Sequence, residues 1–340
     1  MKIGQIGEFG LIERIRAALP GPGPNVIVGI GDDVAVLKAA SATESVWLAT
    51  CDVQVEGAHF LRHAILPRSL GRKALAINLS DIASAGGIPR YALVSLGLPA
   101  DLEVAFIDEL YAGLREQGGE FGVQIVGGNI SRSHLGIFID VFLLGETIRE
   151  NVVLRSGAAV GDLIMVTGTV GDAAAGVALL LDPELVDATD AAYAEIARSR
   201  RDSPAPRVRE GALIGSLRQA SAMIDVSDGI AGDLRHICEK SGVSVRLHAD
   251  TLPVSAANRA LSRAARGDEW HFALHGGEDY ELLFTAPPGR AGKLAQRITS
   301  ETGTPVSVIG EIISGGGQPE LILPDGSSRA LEESGWDHFK

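Results

Sequence analysis

Six aspartates stand where a carboxylate is costly. Asp32, Asp33, Asp52, Asp81, Asp225 and Asp228 end apolar runs or interrupt an apolar helix. A carboxylate beside a buried element loses its hydration at high cost unless a cation or hydrogen bonds replace the water. One such residue reads as a cap or a solvated turn. Six of them, most beside glycines, point to hard oxygen ligands for several Mg²⁺ ions that would hold a nucleotide's phosphates. The chemistry implied is ATP-dependent phosphoryl transfer, which asks a protein for positioning and charge neutralisation more than for a nucleophile. The sequence has no GxSxG elbow and no paired-His zinc motif to suggest a rival chemistry.

The acids come in distinct settings. Gly29-Ile30-Gly31-Asp32-Asp33 follows an apolar run, and its glycines allow a ligand close to the backbone. It lacks the Gly-Lys-Ser/Thr of a Walker A loop, and a turn with an Asx cap is the plain alternative. Thr50-Cys51-Asp52 closes a predicted strand over 46–50, with His59 seven residues after Asp52. His59 suits a phosphate donor or an ordinary surface histidine. Asp81 sits in a helix predicted over 68–86 that is apolar on nearly every side, next to Asn78 and Ser80. It calls for a metal, an arginine, a raised pKa, or a salt bridge to Arg72 or Lys73. Asp225-Val226-Ser227-Asp228-Gly229 turns a strand into a helix, where either polar residue could be the N-cap or part of a magnesium-phosphate platform. Gly276-Gly277-Glu278-Asp279-Tyr280 again joins glycines to acids.

The elements that position these residues read as alternating strands and helices in two lobes, 1–149 and 150–340. In the first, a helix over 9–19 precedes strands at 26–30 and 46–50 and the helix at 68–86. A strand at 91–98, a helix at 103–116 and strands at 123–126 and 137–144 complete it. In the second, strands at 163–166, 222–226, 281–285 and 305–310 alternate with helices at 171–181, 230–240 and 289–302. The polar stretch 182–210 reads as a surface excursion. Gly127-Gly128-Asn129 and Gly276-Gly277-Glu278 weakly echo each other, each as the end of an apolar strand.

Composition bounds the partners. The 340 residues are 46% hydrophobic and 21% charged, an α/β globular balance long enough for two domains. A net charge of −13 argues against nucleic acid or an anionic membrane as the main partner. Only Cys51 and Cys238 occur, without a CxxC, so neither a disulfide framework nor a structural zinc is expected. Glu8 and Glu13 replace a basic-then-apolar leader, and no apolar run reaches transmembrane length, which predicts a cytoplasmic protein.

Taken together and in order, the motifs resemble the thiamine-monophosphate kinase family, within the superfamily of aminoimidazole ribonucleotide synthetase and selenophosphate synthetase. The matching stretches are Gly7-Glu8-Phe9, GIGDD at 29–33, TCDVQVEGAHF at 50–60, KALAINLSDIASAGG at 73–87 and VGGN at 126–129. RSGAAVGD at 155–162, IDVSDGIAGDL at 224–234, GGEDYEL at 276–282 and GWDHF at 335–339 continue the series. The resemblance implies phosphorylation of thiamine monophosphate to thiamine diphosphate with ATP, two α/β lobes, and a homodimer whose N-terminal lobes pair. It implies Asp33, Thr50, Cys51, Asp52, Asp81, Asn129, Asp225 and Asp228 as magnesium ligands, with Thr50 and Cys51 acting largely through oxygens. Gly128, Asn129, Arg155 and Ser227 would touch ATP; His59, Glu278 and Trp336 would face thiamine phosphate, Trp336 by stacking. Asn129 departs from the family's Asp and removes a full charge; Cys51 stands for Ser or Thr; Trp336 stands for an aromatic that is commonly Tyr. The competing expectations are a superfamily enzyme with another small acceptor, or a dimer that binds these ligands but turns over weakly because of Asn129.

Overall fold

A computed structural model describes residues 7–18, 23–39, 44–187, 189–266 and 268–331. The first lobe runs α1 (Gly7–Ala18), β1 (Val26–Val28), β2 (Ala35–Lys38), β3 (Ser45–Val55), α2 (Pro67–Ser84), β4 (Ile88–Leu98), α3 (Val104–Phe121), β5 (Gln124–Arg132) and β6 (Phe138–Ile148). Its sheet has the order β1-β2-β3-β6-β4-β5, with β5 parallel to β4 at one edge and the other pairs antiparallel. Strand residues alternate in burial: Val46, Leu48 and Thr50 of β3 and Ile139, Val141 and Leu143 of β6 point inward. They pack under α2 and α3, which cross closely because glycines meet backbone. A Cβ on Gly71 would stand 2.0 Å from the Leu110 carbonyl oxygen, and one on Gly113 would stand 1.9 Å from that of Arg68. The outer face of the same sheet leaves Tyr91, Leu93 and Phe138 exposed.

The second lobe comprises β7 (Leu163–Thr167), α4 (Asp172–Leu181), α5 (Pro183–Asp187), α6 (Ala191–Asp202), α7 (Val208–Leu217), β8 (Ala222–Asp225), α8 (Ile230–Ser241) and β9 (Val243–His248). It continues with α9 (Ala256–Arg266), α10 (His271–His275), β10 (Leu282–Ala286), α11 (Pro288–Thr302), β11 (Val306–Ser314), β12 (Glu320–Ile322) and β13 (Ser328–Ala330). Its sheet order is β13-β12-β9-β11-β7-β10-β8, antiparallel except for β9 with β12. The architecture is therefore mixed α/β, two sheets each with its own helices.

Several expectations change. The segment 182–210 is no bare excursion: α5 and α6 form there, and Leu185, Ala194, Ala197 and Arg201 are buried with α4. Helical spacing puts Ala194, Ala197 and Arg201 on one face of α6, where Arg201 pairs with Asp202 and donates to the Gly176 and Ala64 carbonyls, while Glu195 and Arg200 stay exposed. β3 and β5 run further than the apolar runs suggest, so Asp52 and Asn129 lie within strands, not at their ends. The second Gly-Gly follows the helix α10 instead of a strand, so the echo between the lobes is one of residues alone. β2, β9, α9, β12 and β13 carried no sequence expectation.

Candidate active site

Helix α2 is the hub. Its interior is buried on nearly every side, including the polar Lys73, Asn78, Ser80 and Ser84. Each polar group reaches a different segment. The Asn78 side-chain oxygen accepts from the Asp52 N–H at 3.1 Å, and the Ser80 hydroxyl donates to Asp225 at 2.6 Å. Ser84 donates to Asp33 at 2.9 Å, and Asp81 itself accepts from the Thr50 hydroxyl. Lys73 forms a 2.7 Å ion pair with Glu278. The salt bridge from Asp81 to Arg72 or Lys73 is thus absent: Arg72 pairs with Glu120 on the surface and Lys73 with Glu278.

Carboxylate oxygens of Asp33, Asp81 and Asp225 lie within 4.8 Å of one another. Burial, then the charges of Asp52, Asp225 and Asp33, hold Asp81 well above the usual carboxylate range. Burial and then Asp33 push Asp225 up to about 8, and burial and then Asp33 bring Asp32 to about 6. The cation paired with this cluster is Arg155, whose guanidinium is bonded to Asp33 and whose N–H donates to Asp32 at 3.3 Å. Burial disfavours the charged forms of Asp81 and Asp225, and Arg155 is bonded to Asp33, so ionising the whole cluster calls for a further cation. That oxygen-only donor set fits a hard divalent cation such as Mg²⁺.

The cluster opens into a cleft of about 1020 Å³ between the lobes. Thr50, Cys51, Asp52, His59, Arg155, Ser227, Asp228 and Glu278 line it together with the three clustered aspartates. Asp52 and Asp228 stand outside the tight triplet. His59 uses Nδ1 to accept from the Val55 N–H at 3.1 Å. The Cys51 thiol donates to Asp140 at 3.0 Å, and burial and Asp140 push it up to about 12. Gly128 and Asn129 do not line the cleft. Register pairs Asn129 with Ser95 and Ser95 with Asp140, on the face opposite Thr50 and α2. Trp336, with GWDHF, lies outside the described residues.

Sequence reasoning passed over several lining residues, Asp233, His236 and Tyr280 among them. Asp233 is buried on α8 among Ile230, Leu234 and Ile237 and accepts from the Asp228 N–H at 3.1 Å, which holds the Ser-Asp-Gly turn. Its signal was available, since a carboxylate on a helix's apolar stripe is the argument that singled out Asp81. His236, pushed to about 3 by burial and then Arg155, follows one turn on. Tyr280 closes the GGEDY loop, where Glu278 and Tyr280 take positive φ values of 71° and 52°. Such backbone costs a non-glycine residue roughly 1 kcal/mol or more. Beyond the acids, Ala174, Val177, Ala178 and Leu181 of α4 give the cleft an apolar wall.

The AIR synthase related protein N-terminal domain matches residues 31–147, and the C-terminal domain of the same description matches residues 159–320. The thiamine-monophosphate kinase of Aquifex aeolicus is 37% identical over 339 residues, covering 100% of both chains. That of Escherichia coli K12 is 36% identical over 98% of each. Among solved structures, AaThiL complexed with AMPPCP and TMP superposes with a TM-score of 0.83 at 35% identity, covering 99% of each chain. The hydrogenase maturation protein HypE in complex with ATP shares the fold at 19% identity, with a TM-score of 0.68 over 94% of this chain and 93% of that one.

Proposed function

Because this chain belongs to the thiamine-monophosphate kinase family of AIR synthase related proteins, we infer that it phosphorylates thiamine monophosphate to thiamine diphosphate with ATP. The observation that carries the reading is the desolvated Asp33, Asp81 and Asp225 cluster at the wall of an interlobe cleft, in a chain that superposes on AaThiL with AMPPCP and TMP.

The acceptor's terminal phosphate oxygen attacks the γ-phosphorus of ATP in line, and the bond from that phosphorus to the β–γ bridging oxygen breaks, so ADP leaves with the negative charge. The attacking oxygen is already largely anionic at neutral pH, so the protein need supply no strong base. Asp33, Asp52, Asp81, Asp225 and Asp228 would hold Mg²⁺, with Thr50 and Cys51 contributing oxygens; bound there, the metal screens the two anions from each other and stabilises charge in the transition state. Arg155 neutralises phosphate charge and, with Ser227, holds the nucleotide. His59 and Glu278 face the acceptor, and Trp336 stacks on one of its rings. Residues 1–149 form the ATP- and Mg²⁺-binding and dimerising lobe, and residues 150–340 a second lobe that completes the cleft.

Asn129, on the sheet's outer face beside Ser95, would reach a cleft only from a second copy, with Gly128 at its side in the same strand. The exposed Tyr91, Leu93 and Phe138 on that face support a homodimer paired through its N-terminal lobes. Among the described residues no helix is long and apolar enough to cross a membrane, and use of ATP fits work in the cytoplasm. The test is to incubate the purified chain with ATP, thiamine monophosphate and Mg²⁺ and to separate the products chromatographically. Thiamine diphosphate formed in proportion to enzyme is the expected result. ATP binding without thiamine diphosphate would assign the cleft to a different acceptor.

A further inference from the structure

Tyr280 sits in a backbone conformation that its side chain disfavours. Among the described non-glycine residues, only Arg218, Glu278 and Tyr280 have positive φ. The loop is held from both sides. The Glu278 and Tyr280 N–H groups donate to the Ser227 and Val226 carbonyls at 2.9 Å each, and the Val226 N–H donates to Glu281 at 2.8 Å. The buried Asp279 carboxylate accepts from Gly171 and Ala173 at the start of α4, and Arg207 and Thr167 hold Glu281. Backbone strain that is over-determined in this way clusters where a side chain must be presented to a ligand.

What is presented is a phenol. Tyr280 is 8% exposed, lines the cleft, and its hydroxyl makes no hydrogen bond among the described residues. Burial and then the charges of Glu278, Asp52, Asp225 and Asp228 keep the phenol protonated, so it is a donor at neutral pH. Its neighbour Glu278 has the opposite character. An anion already paired with Lys73 repels a phosphate and suits the cationic ring system of the acceptor. A neutral donor beside it, on the segment bonded to the Asp225–Asp228 turn, suits the phosphate.

Building on the function inferred above, we propose that the Tyr280 hydroxyl donates a hydrogen bond to a phosphate oxygen of the acceptor and so selects the phosphorylated vitamin over the free one.

The test is Tyr280→Phe, which keeps the ring and removes the donor. Affinities for thiamine monophosphate and for thiamine are measured by calorimetry with a non-hydrolysable ATP analogue and Mg²⁺ present. The variant is expected to bind thiamine monophosphate about tenfold more weakly, the loss of one hydrogen bond to a charged group, with thiamine and the nucleotide within about twofold. An unchanged affinity for thiamine monophosphate, or an equal loss for both acceptors, overturns the proposal. A wild-type protein that binds no thiamine monophosphate overturns the inferred acceptor, and inorganic phosphate with ADP and Mg²⁺ then becomes the probe. Phosphate bound about tenfold more tightly by wild type than by Tyr280→Phe sustains the hydroxyl's role. Equal binding, or none, overturns it.

Discussion

Two Gly-Gly pairs in this chain look alike and do different work. In Gly127-Gly128-Asn129 a Cβ on Gly128 would stand 1.8 Å from the Val94 carbonyl oxygen; in Gly276-Gly277-Glu278 one on Gly277 would stand 2.0 Å from that of Ser227. Both glycines let backbone approach backbone. Beyond that the pairs diverge. Asn129 lies in an edge strand, exposed, on the face opposite the acidic cluster. Glu278 lies in a strained loop inside the cleft, paired with Lys73. A glycine pair therefore encodes close approach, and the layer packed against it decides whether the next side chain meets a ligand.

The cleft side should break first. Asp81→Asn is expected to lower turnover by about a thousandfold, ~4 kcal/mol of transition-state stabilisation, if its carboxylate holds metal as proposed above. Circular dichroism and the melting temperature in chelator should not fall, since burial and the charges of Asp52 and Asp225 already disfavour the ionised form of Asp81 and an amide replaces it without charge. A variant that unfolds yet keeps activity in its folded fraction would make Asp81 a structural residue.

The same side should carry the pH dependence of the metal-free protein. Folded Asp225 is held at about 8 against 3.8 ordinarily, so the folded state keeps a proton that the unfolded chain releases. Its contribution is present below about pH 4 and lost as pH rises through about 8. His236 has the opposite slope: held at about 3 against 6.5, it contributes fully above about pH 6.5 and is lost as pH falls. The two oppose each other below about pH 6.5 and leave the carboxylate alone above it. Melting in EDTA should therefore fall between about pH 6.5 and about pH 8, and Mg²⁺ should raise it more at the upper end. A flat profile, with or without Mg²⁺, would remove the cation site from the cluster.

The edge side should show the smallest effect. Asn129→Asp restores a carboxylate on the outer face and is expected to lower the Mg²⁺ requirement by about twofold, since an amide oxygen binds a hard cation less well. The shift should appear only at protein concentrations where two copies pair. Initial rate against free Mg²⁺, at high and at low protein concentration, separates the cases. An equal shift at both concentrations would mean that Asn129 reaches the metal within its own chain. Coincident curves for the two proteins would take it out of the metal site.

Much of this was legible residue by residue. The apolar run around Asp81 showed a helix buried on all sides, and the same desolvation argument would have reached Asp233 on α8. The order of motifs pointed to the family. Strand ends were harder, because β3 and β5 continue through polar residues that strand pairing satisfies, which moved Asp52 and Asn129 inside their elements. The buried face of α6 was hidden by its arginines.

By itself the sequence determined which side chains bear charge where charge is expensive, since burial periodicity and the cost of desolvation are local properties. Only the tertiary structure decided which of them meet. Ser80 bonds Asp225 across 145 positions, Lys73 finds Glu278 instead of Asp81, and Asn129 turns away from the cluster. Side chains on a strand alternate faces with a period of two, so a shift of one residue in register reverses what each one sees. That register is set by pairing with distant strands and by the helix laid across them, and no local stretch of the chain contains it.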